Sequence, residues 1–149
     1  MALAGGLSPT AGAQPGQVSS SGLISVEGVW ARLAPKEPDT ASVFFEVVNV
    51  GDKPDVLLSA TSPAAKKVTL RRGGWRGLNF FNKDSDGIRI KANKRVSFHP
   101  GAIEVTLSEF TEPVAVRSVF PVTLVFKEAG EVTVEATVSN QLLGNRIEK

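Results

Sequence analysis

The feature that most constrains this chain is an alternation of apolar and polar residues that recurs from Leu23 onward. It is clearest in Val132–Val138, which reads VTVEATV, and it returns in three shorter segments, 88–91, 96–98 and 103–107. A period of two places successive side chains on opposite faces of a β-strand, one buried and one in water. No segment shows a helical period of useful length. The chain is therefore predicted to be built from strands.

Two longer apolar runs, Val43–Val50 and Val122–Phe126, predict central strands. Residues that favour tight turns separate the predicted strands, at 49–52 (NVGD), 84–87 (DSDG), 100–101 (PG) and 128–130 (EAG). Many short strands joined by regular turns are typical of an all-β sandwich. A length of 149 residues suits one domain with a sizeable core. We therefore expect a single-domain Greek-key β-sandwich.

The two ends of the chain differ from its middle. The first 22 residues carry no charged side chain and are rich in Gly, Ser, Ala and Pro, so a disordered tether is expected ahead of a domain at 23–139. Residues 140–149 are expected to form a flexible tail. Residues 1–22 lack the basic start and apolar run of a signal peptide, and no segment is apolar enough to span a membrane. An exported form would carry its signal or membrane anchor outside this chain.

Composition excludes several chemistries. The chain has no cysteine, one histidine (His99) and one methionine (Met1). It can form no disulfide and no thiolate metal site, and a single chain cannot supply two imidazoles to one metal. The sequence offers no nucleophile–base pair, and its carboxylates are scattered along alternating strands. The protein is therefore predicted not to be an enzyme.

The charge is unevenly distributed. The whole chain has a net charge of +2, but the stretch Lys66–Arg95 holds ten basic and two acidic residues and so carries +8. Such asymmetry bears on partners rather than on the fold, and it points to an anionic partner.

Five segments carry a resemblance to a known family. In chain order they are Trp30–Pro35, Asn49–Leu57, Ser62–Ala65, Pro100–Gly101 and Leu124–Val134. In their order and spacing they resemble the periplasmic copper chaperones called PCu(A)C, which deliver Cu(I) towards cytochrome oxidase assembly. The resemblance runs from Ile24 to Val138. It implies a cupredoxin-like sandwich located outside the cytoplasm, in the periplasm, on the cell surface or secreted.

The resemblance also implies where copper would bind. The family uses a histidine and a methionine around one loop, and a His-x-Met pair on a later strand. Alignment of the flanking motifs places Arg71 and Asn82 at the first two positions and Glu104 and Thr106 at the pair, with the family spacing of ten and twenty-one intervening residues. All four ligands are thus missing. Cu(I) prefers thioether, thiolate and imidazole ligands, so no cofactor is expected at these positions.

An ion pair is the simplest replacement for the missing copper. If the fold is kept, Arg71 and Glu104 would lie close enough to pair, with Asn82 and Thr106 hydrogen-bonding around them. An exposed pair of this kind contributes about 0–1 kcal/mol, so it would order the site without holding the fold together.

Two weaker metal candidates remain. His99 falls next to Pro100 on the polar side of its strand, which favours an exposed turn histidine over a ligand, with a metal shared across a dimer as the alternative. The segment 82–87 (NKDSDG) echoes a calcium loop through Asp84 and Asp86. The bidentate glutamate that closes such a loop is missing, so a polar hairpin turn is the preferred interpretation.

The segment Arg71–Gly77 (RRGGWRG) is the most unusual in the chain. We expect a flexible cationic loop in which Arg71, Arg72, Trp75 and Arg76 could hold a phosphate, a carboxylate or an aromatic ring. Nucleic acid is a less favoured ligand, and a solvated loop with no ligand is the alternative. Trp30, in contrast, continues the inward face of its strand and is expected in the core.

Together these observations predict a non-enzymatic PCu(A)C-like binding module with a degenerate copper site. It would dock a partner protein or an anionic envelope component through the 71–77 segment. The alternative is a working copper chaperone or metal carrier that uses His99 together with a partner chain, or a hard metal at Asp84 and Asp86.

Overall fold

The computed structural model describes residues 19–34 and 37–139, and every regular element in them is a β-strand. The strands are β1 (Ser19–Ser21), β2 (Ile24–Ala34), β3 (Glu37–Asn49), β4 (Asp55–Thr61), β5 (Ala65–Arg76), β6 (Asn79–Asp84), β7 (Ile88–Ile90), β8 (Arg95–Phe98), β9 (Ile103–Phe110), β10 (Val119–Phe126) and β11 (Gly130–Thr137). They form two antiparallel sheets.

The larger sheet has seven strands in the order β1-β2-β3-β9-β5-β6, with β8 also paired to β3. The smaller sheet has four strands in the order β11-β10-β4-β7. Among the described strands, five of the nine pairings join strands that are not consecutive in the chain. The connections therefore cross between the sheets, as in a Greek key. The predicted all-β sandwich is confirmed.

The core lies between the sheets and follows the predicted alternation. In β11 the inward residues Val132, Val134 and Ala136 are buried while their neighbours are more exposed. In β3 the ring of Phe45 is buried and stacks on Phe98 with 4.3 Å between the ring centroids. Burial of a side chain of this size stabilises the fold by about 1.5–3 kcal/mol, so the apolar faces of the strands hold the two sheets together.

A β-bulge in β2 corrects the expectation for Trp30. The pairing of β2 with β3 shifts register between Glu27 and Trp30, where Gly28 has a φ of 66°. One extra residue moves every later side chain to the opposite face of the strand. Val29 and Ala31 therefore point into the core. Trp30 lies on the outer face, with its ring centroid 4.7 Å from that of Phe44, so the prediction of a core tryptophan is wrong.

Buried polar side chains fix the turns that carry the family motifs. The Asp55 carboxylate is 5% exposed and accepts hydrogen bonds from the backbone N–H groups of Val56 (2.7 Å), Glu128 (2.8 Å) and Ala129 (3.0 Å). These contacts tie the start of β4 to the turn between β10 and β11. The hydrogen bonds of Asp55 thus hold together two of the segments that carry the family resemblance, 49–57 and 124–134.

The predicted chain ends lie mostly outside the described residues. Residues 1–18 of the expected tether and the expected tail at 140–149 fall there. Ser19–Ser21, which belong to the same expected tether, pair with β2 as a short antiparallel strand.

Candidate functional site

The cationic loop predicted at residues 71–77 is instead a β-hairpin, and that prediction is wrong. Strand β5 continues to Arg76 and pairs residue for residue with β6, from Arg71 opposite Asp84 to Arg76 opposite Asn79. Gly77 and Leu78 make the two-residue turn, with Gly77 at a φ of 62°, which a glycine adopts without steric cost. Below, residues 71–84 are called the β5–β6 hairpin.

Two glycines let the hairpin form because aromatic rings cover them. A Cβ atom on Gly73 would lie 3.0 Å from the ring of Phe80 and 3.2–3.3 Å from two backbone carbonyl oxygens. A Cβ atom on Gly74 would lie 3.0 Å from the ring of Phe81. The two rings thus occupy the space that side chains at 73 and 74 would fill. This packing compensates for the low intrinsic strand preference of glycine.

The hairpin has two chemically different faces, because directly opposed residues in an antiparallel pair share a face. The ion-pair face holds the pairs Arg71–Asp84, Gly73–Asn82 and Trp75–Phe80; the cationic face holds Arg72–Lys83, Gly74–Phe81 and Arg76–Asn79. On the cationic face the guanidinium of Arg76 lies over the Phe81 ring, 4.9 Å from its centroid. Within the described part of the chain, Arg72, Arg76 and Lys83 have no carboxylate within 4.0 Å.

On the ion-pair face, Arg71 is bound to β6. Its Nη1 atom lies 3.0 Å from Asp84 Oδ1, and its Nε donates to Asn82 Oδ1 at 3.0 Å. Its Nη2 donates to the Asn82 carbonyl oxygen at 3.3 Å. The pair is solvent-exposed on the Asp84 side, so its net contribution to stability is about 0–1 kcal/mol.

The expected ion pair between Arg71 and Glu104 does not form, although the two residues are direct cross-strand partners between β5 and β9. Asp84 and Glu104 flank Arg71 in one row across the sheet, and the guanidinium turns to β6, where Asp84 and Asn82 supply three acceptor oxygens. Glu104 instead accepts a hydrogen bond from the Thr106 hydroxyl at 3.4 Å.

The structure nevertheless brings together the four positions that the resemblance assigns to copper. Arg71 contacts Asn82, faces Glu104 across the sheet, and Glu104 contacts Thr106. All four lie on the outer face of the larger sheet, because Leu70 and Val105, which alternate with them, are buried in the core. Their chemistry is that of a cation, an amide, a carboxylate and a hydroxyl.

Of the other metal candidates, Asp84 contacts this cluster through its ion pair with Arg71, whereas no contact to the cluster is found for His99 or Asp86 in the described residues. His99 is exposed in the turn between β8 and β9, and its Nδ1 atom lies 3.2 Å from the Pro100 carbonyl oxygen. Asp84 is bound to Arg71, and Asp86 lies exposed in the turn after β6. Among residues 19–34 and 37–139, no three His, Cys, Asp or Glu side chains are grouped so as to hold a metal ion.

The end of the hairpin exposes large apolar side chains. Leu78 is 95% exposed, Trp75 67% and Phe80 44%, and the rings of Trp75 and Phe80 meet edge to face at 5.2 Å. We call these three residues the apolar tip. Of the hairpin residues, Trp75 is among the candidates predicted from the sequence, whereas Leu78, Phe80 and the cation Lys83 are not. The aromatic pair in NFFNKD, which is typical of a strand, is the signal that points to Phe80 and Lys83.

The basic stretch found in the sequence does not form one surface. Arg95 pairs with Glu46 and lies 3.6 Å from Glu27, and its hydrogen bond to Glu46 raises the pKa of Arg95 above the ordinary value. Arg89 lies on the smaller sheet in β7. The unpaired cations nearest to the apolar tip are therefore those of the cationic face.

In the described residues no helix is long and apolar enough to cross a membrane.

Solved structures with the same architecture are PCuAC domains. The copper-bound PCuAC domain of PmoF2 is 28% identical, with a TM-score of 0.70, and the match covers 84% of this chain and 99% of that domain. The apo PCuAC domain of PmoF1 is 23% identical, with a TM-score of 0.71 and coverage of 84% and 100%. Cu(I)-loaded DR1885 from Deinococcus radiodurans is 23% identical, with a TM-score of 0.61 and coverage of 78% and 80%.

The fold and these structural matches therefore define a cupredoxin-like PCu(A)C domain, and the resemblance seen in the sequence is confirmed. Residues 24–138 match the family described as "Putative lipoprotein LpqE-like", and the chain belongs to that family. No curated protein sequence matches the chain significantly.

Proposed function

We propose that this chain is a non-enzymatic PCu(A)C-like module that does not carry Cu(I) at the family position and that docks a partner protein or an anionic ligand through the β5–β6 hairpin. The observation that carries the proposal is the network of Arg71, Asn82 and Asp84 at the positions where the family places its first two copper ligands. A guanidinium remains charged at every accessible pH and cannot coordinate a metal. The remaining side chains, Glu104 and Thr106, offer hard oxygen atoms that Cu(I) does not favour.

The location of this module is part of the proposal. The family is described as lipoprotein-like, and PCu(A)C proteins act outside the cytoplasm, so both support a site of action in the periplasm or at the cell surface. A docking module at such a site would meet anionic envelope components and membrane-bound partners. Both are compatible with an exposed, cationic hairpin.

An anaerobic Cu(I) titration with a competing chromophoric chelator, followed by metal analysis, tests the copper half of the proposal. The expected result is no stoichiometric uptake by the purified chain. Uptake of one Cu(I) per chain with sub-micromolar affinity would overturn it.

The alternative function is a copper carrier that uses His99. It is supported by the solved structures of the PmoF2 domain and DR1885, both of which are described with bound copper. A lone imidazole needs further ligands, so this site would have to be shared between two chains. It predicts one Cu(I) per two chains and a dimer that forms only with copper. Under this alternative, the variant His99→Ala would abolish both Cu(I) uptake and the copper-dependent dimer. Under our preferred function, the variant changes neither the copper content nor the oligomeric state.

A further inference from the structure

We infer that the β5–β6 hairpin binds the surface of an anionic lipid bilayer, with the apolar tip inserted among the headgroups and the cationic face against the lipid phosphates. The inference rests on the proposed docking function and names its partner. It comes from three features: the projection of the hairpin, the composition of its tip and the position of its unpaired cations.

The hairpin projects beyond the body of the sheet. Pairing of β5 with β9 ends at Arg72, opposite Ile103, whereas pairing with β6 continues to Arg76. The N–H of Gly73 still donates to the Ala102 carbonyl oxygen, so the last three residues of β5 lie in a two-stranded ribbon. A narrow projecting ribbon presents a convex end, which a deformable headgroup layer can surround.

The tip has the composition of a membrane interface. A fully exposed leucine at the turn is flanked by a tryptophan and a phenylalanine, all three described above as exposed. Tryptophan is enriched where proteins meet the headgroup region, because its ring is apolar and its N–H can still bind water or lipid. Trp75 also keeps its ring in contact with Phe80. The tip is therefore structured before it meets lipid.

The cations lie where phosphates would be. Arg76 is next to the turn, and Arg72 and Lys83 are four residues further up the ribbon, about 13 Å at the rise of a strand. Amphipathic segments at membranes bury their apolar side about 5–10 Å into the headgroup boundary. That depth would place Arg76 among the phosphates and leave Arg72 and Lys83 about 13 Å above it, beyond the Debye length of about 8–10 Å, so that these two cations add a weaker attraction. Since none of the three is neutralised by a carboxylate in the described residues, their charge remains available.

Vesicle binding of the full chain tests the inference. Sedimentation with vesicles of phosphatidylcholine alone is compared with sedimentation with a two-to-one mixture of phosphatidylcholine and phosphatidylglycerol. We expect binding to the mixed vesicles only, weakened by added salt, with a blue shift of tryptophan emission. The background variant Trp30→Phe assigns that shift to Trp75. Equal binding to both vesicle types would overturn the inference.

Charge variants locate the contact. The triple variant Arg72→Gln, Arg76→Gln, Lys83→Gln should reduce partition onto mixed vesicles about tenfold, because one cation lies at the phosphates and two lie beyond a Debye length. The matched control is Arg89→Gln, Lys91→Gln, Lys94→Gln, which removes the same charge from exposed positions of the same basic stretch outside the hairpin. The control should reduce partition by less than about threefold. An equal loss in the two variants would show general charge attraction and contradict the inference. The melting temperature of each variant confirms that it is folded.

The neutral tip variant Leu78→Asn should abolish the blue shift and weaken binding without changing the charge of the hairpin. Retention on an immobilised polyanion separates this inference from the proposed function. One outcome is that the chain fails to bind vesicles and is still retained on the polyanion. If that retention is lost in the hairpin charge variant, docking of an anionic ligand through the hairpin stands and the lipid partner is wrong. Absence of both kinds of binding would reject docking of an anionic ligand through the hairpin, and with it the lipid inference.

Discussion

Asp55 shows how much a single buried side chain contributes to this fold. Its carboxylate accepts three backbone hydrogen bonds, two of them from the turn at Glu128 and Ala129. We expect Asp55→Ala to lower the free energy of unfolding by about 3 kcal/mol, because it leaves buried N–H groups without an acceptor. Urea denaturation measures the loss. The control Asp52→Ala removes a carboxylate from an exposed position nearby and should change stability by less than about 0.5 kcal/mol. A similar loss in the two variants would show that the hydrogen bonds of Asp55 are not the cause.

At the candidate site, the sequence predicted which residues lie close together but not which side chains bind each other. The family resemblance selected Arg71, Asn82, Glu104 and Thr106 as one group, and alternation placed Glu104 and Thr106 on one face of their strand. They could not choose between Asp84 and Glu104 as the partner of Arg71, because both flank it in the same row across the sheet. Side-chain torsions decide that choice, and a sequence pattern carries no information on them. The exposed tryptophan at position 75 could be predicted, whereas its contact with Phe80 depends on the hairpin pairing.

At the scale of elements, alternation predicted β7, β8, β9 and β11, apolar runs predicted β3 and β10, and the sequence pattern failed at two glycine-containing segments. In β2 the inward pattern of Ile24 and Val26 was extended through Gly28, where the bulge reverses it. In β5 the glycines and arginines of residues 71–77 suggested a loop, since such composition is typical of loops. The strand forms there because aromatic rings of β6 pack on the glycines, and this compensation comes from a different element.

The two hairpin glycines offer a test of that compensation. A methyl group at Gly73 would press on the ring of Phe80 and on two backbone carbonyl oxygens that cannot move aside, whereas at Gly74 it would meet only the ring of Phe81. We expect Gly73→Ala to lower the free energy of unfolding by about 1–3 kcal/mol, although alanine has the higher strand preference. Gly74→Ala serves as the matched control and should cost less than about 1 kcal/mol, because a side chain can turn away. Thermal unfolding, with near-ultraviolet circular dichroism to follow the Trp75–Phe80 contact, measures both. Equal effects at the two positions would contradict this packing account.

At the scale of the whole molecule, the basic stretch of the sequence is divided among different surfaces. Arg71 and Arg95 are paired with carboxylates, Arg89 lies on the smaller sheet, and three cations of the hairpin have no carboxylate partner among the described residues. The hairpin therefore presents three of the exposed cations of this stretch on one face of a projecting element. The outer face of the cupredoxin-like scaffold carries a cation, an amide, a carboxylate and a hydroxyl at the four positions that the resemblance assigns to copper.

If the scaffold has kept the copper geometry, replacing side chains alone should restore copper binding. The variant carrying Arg71→His, Asn82→Met, Glu104→His and Thr106→Met supplies two imidazoles and two thioethers, which are ligands that Cu(I) prefers. Because the four positions already lie together on one face, we expect this variant to take up one Cu(I) per chain in an anaerobic titration against a chelator.

The control retains Arg71 and carries only the other three substitutions. Its guanidinium stays in the centre of the group, where it repels a cation and occupies the space for the metal, so Cu(I) affinity should fall by at least tenfold relative to the fourfold variant. Equal affinity in the two proteins would show that Arg71 does not stand at a ligand position. If neither protein bound Cu(I), the scaffold would have lost the geometry as well as the ligands, and the correspondence between these four positions and the family's copper site would be wrong.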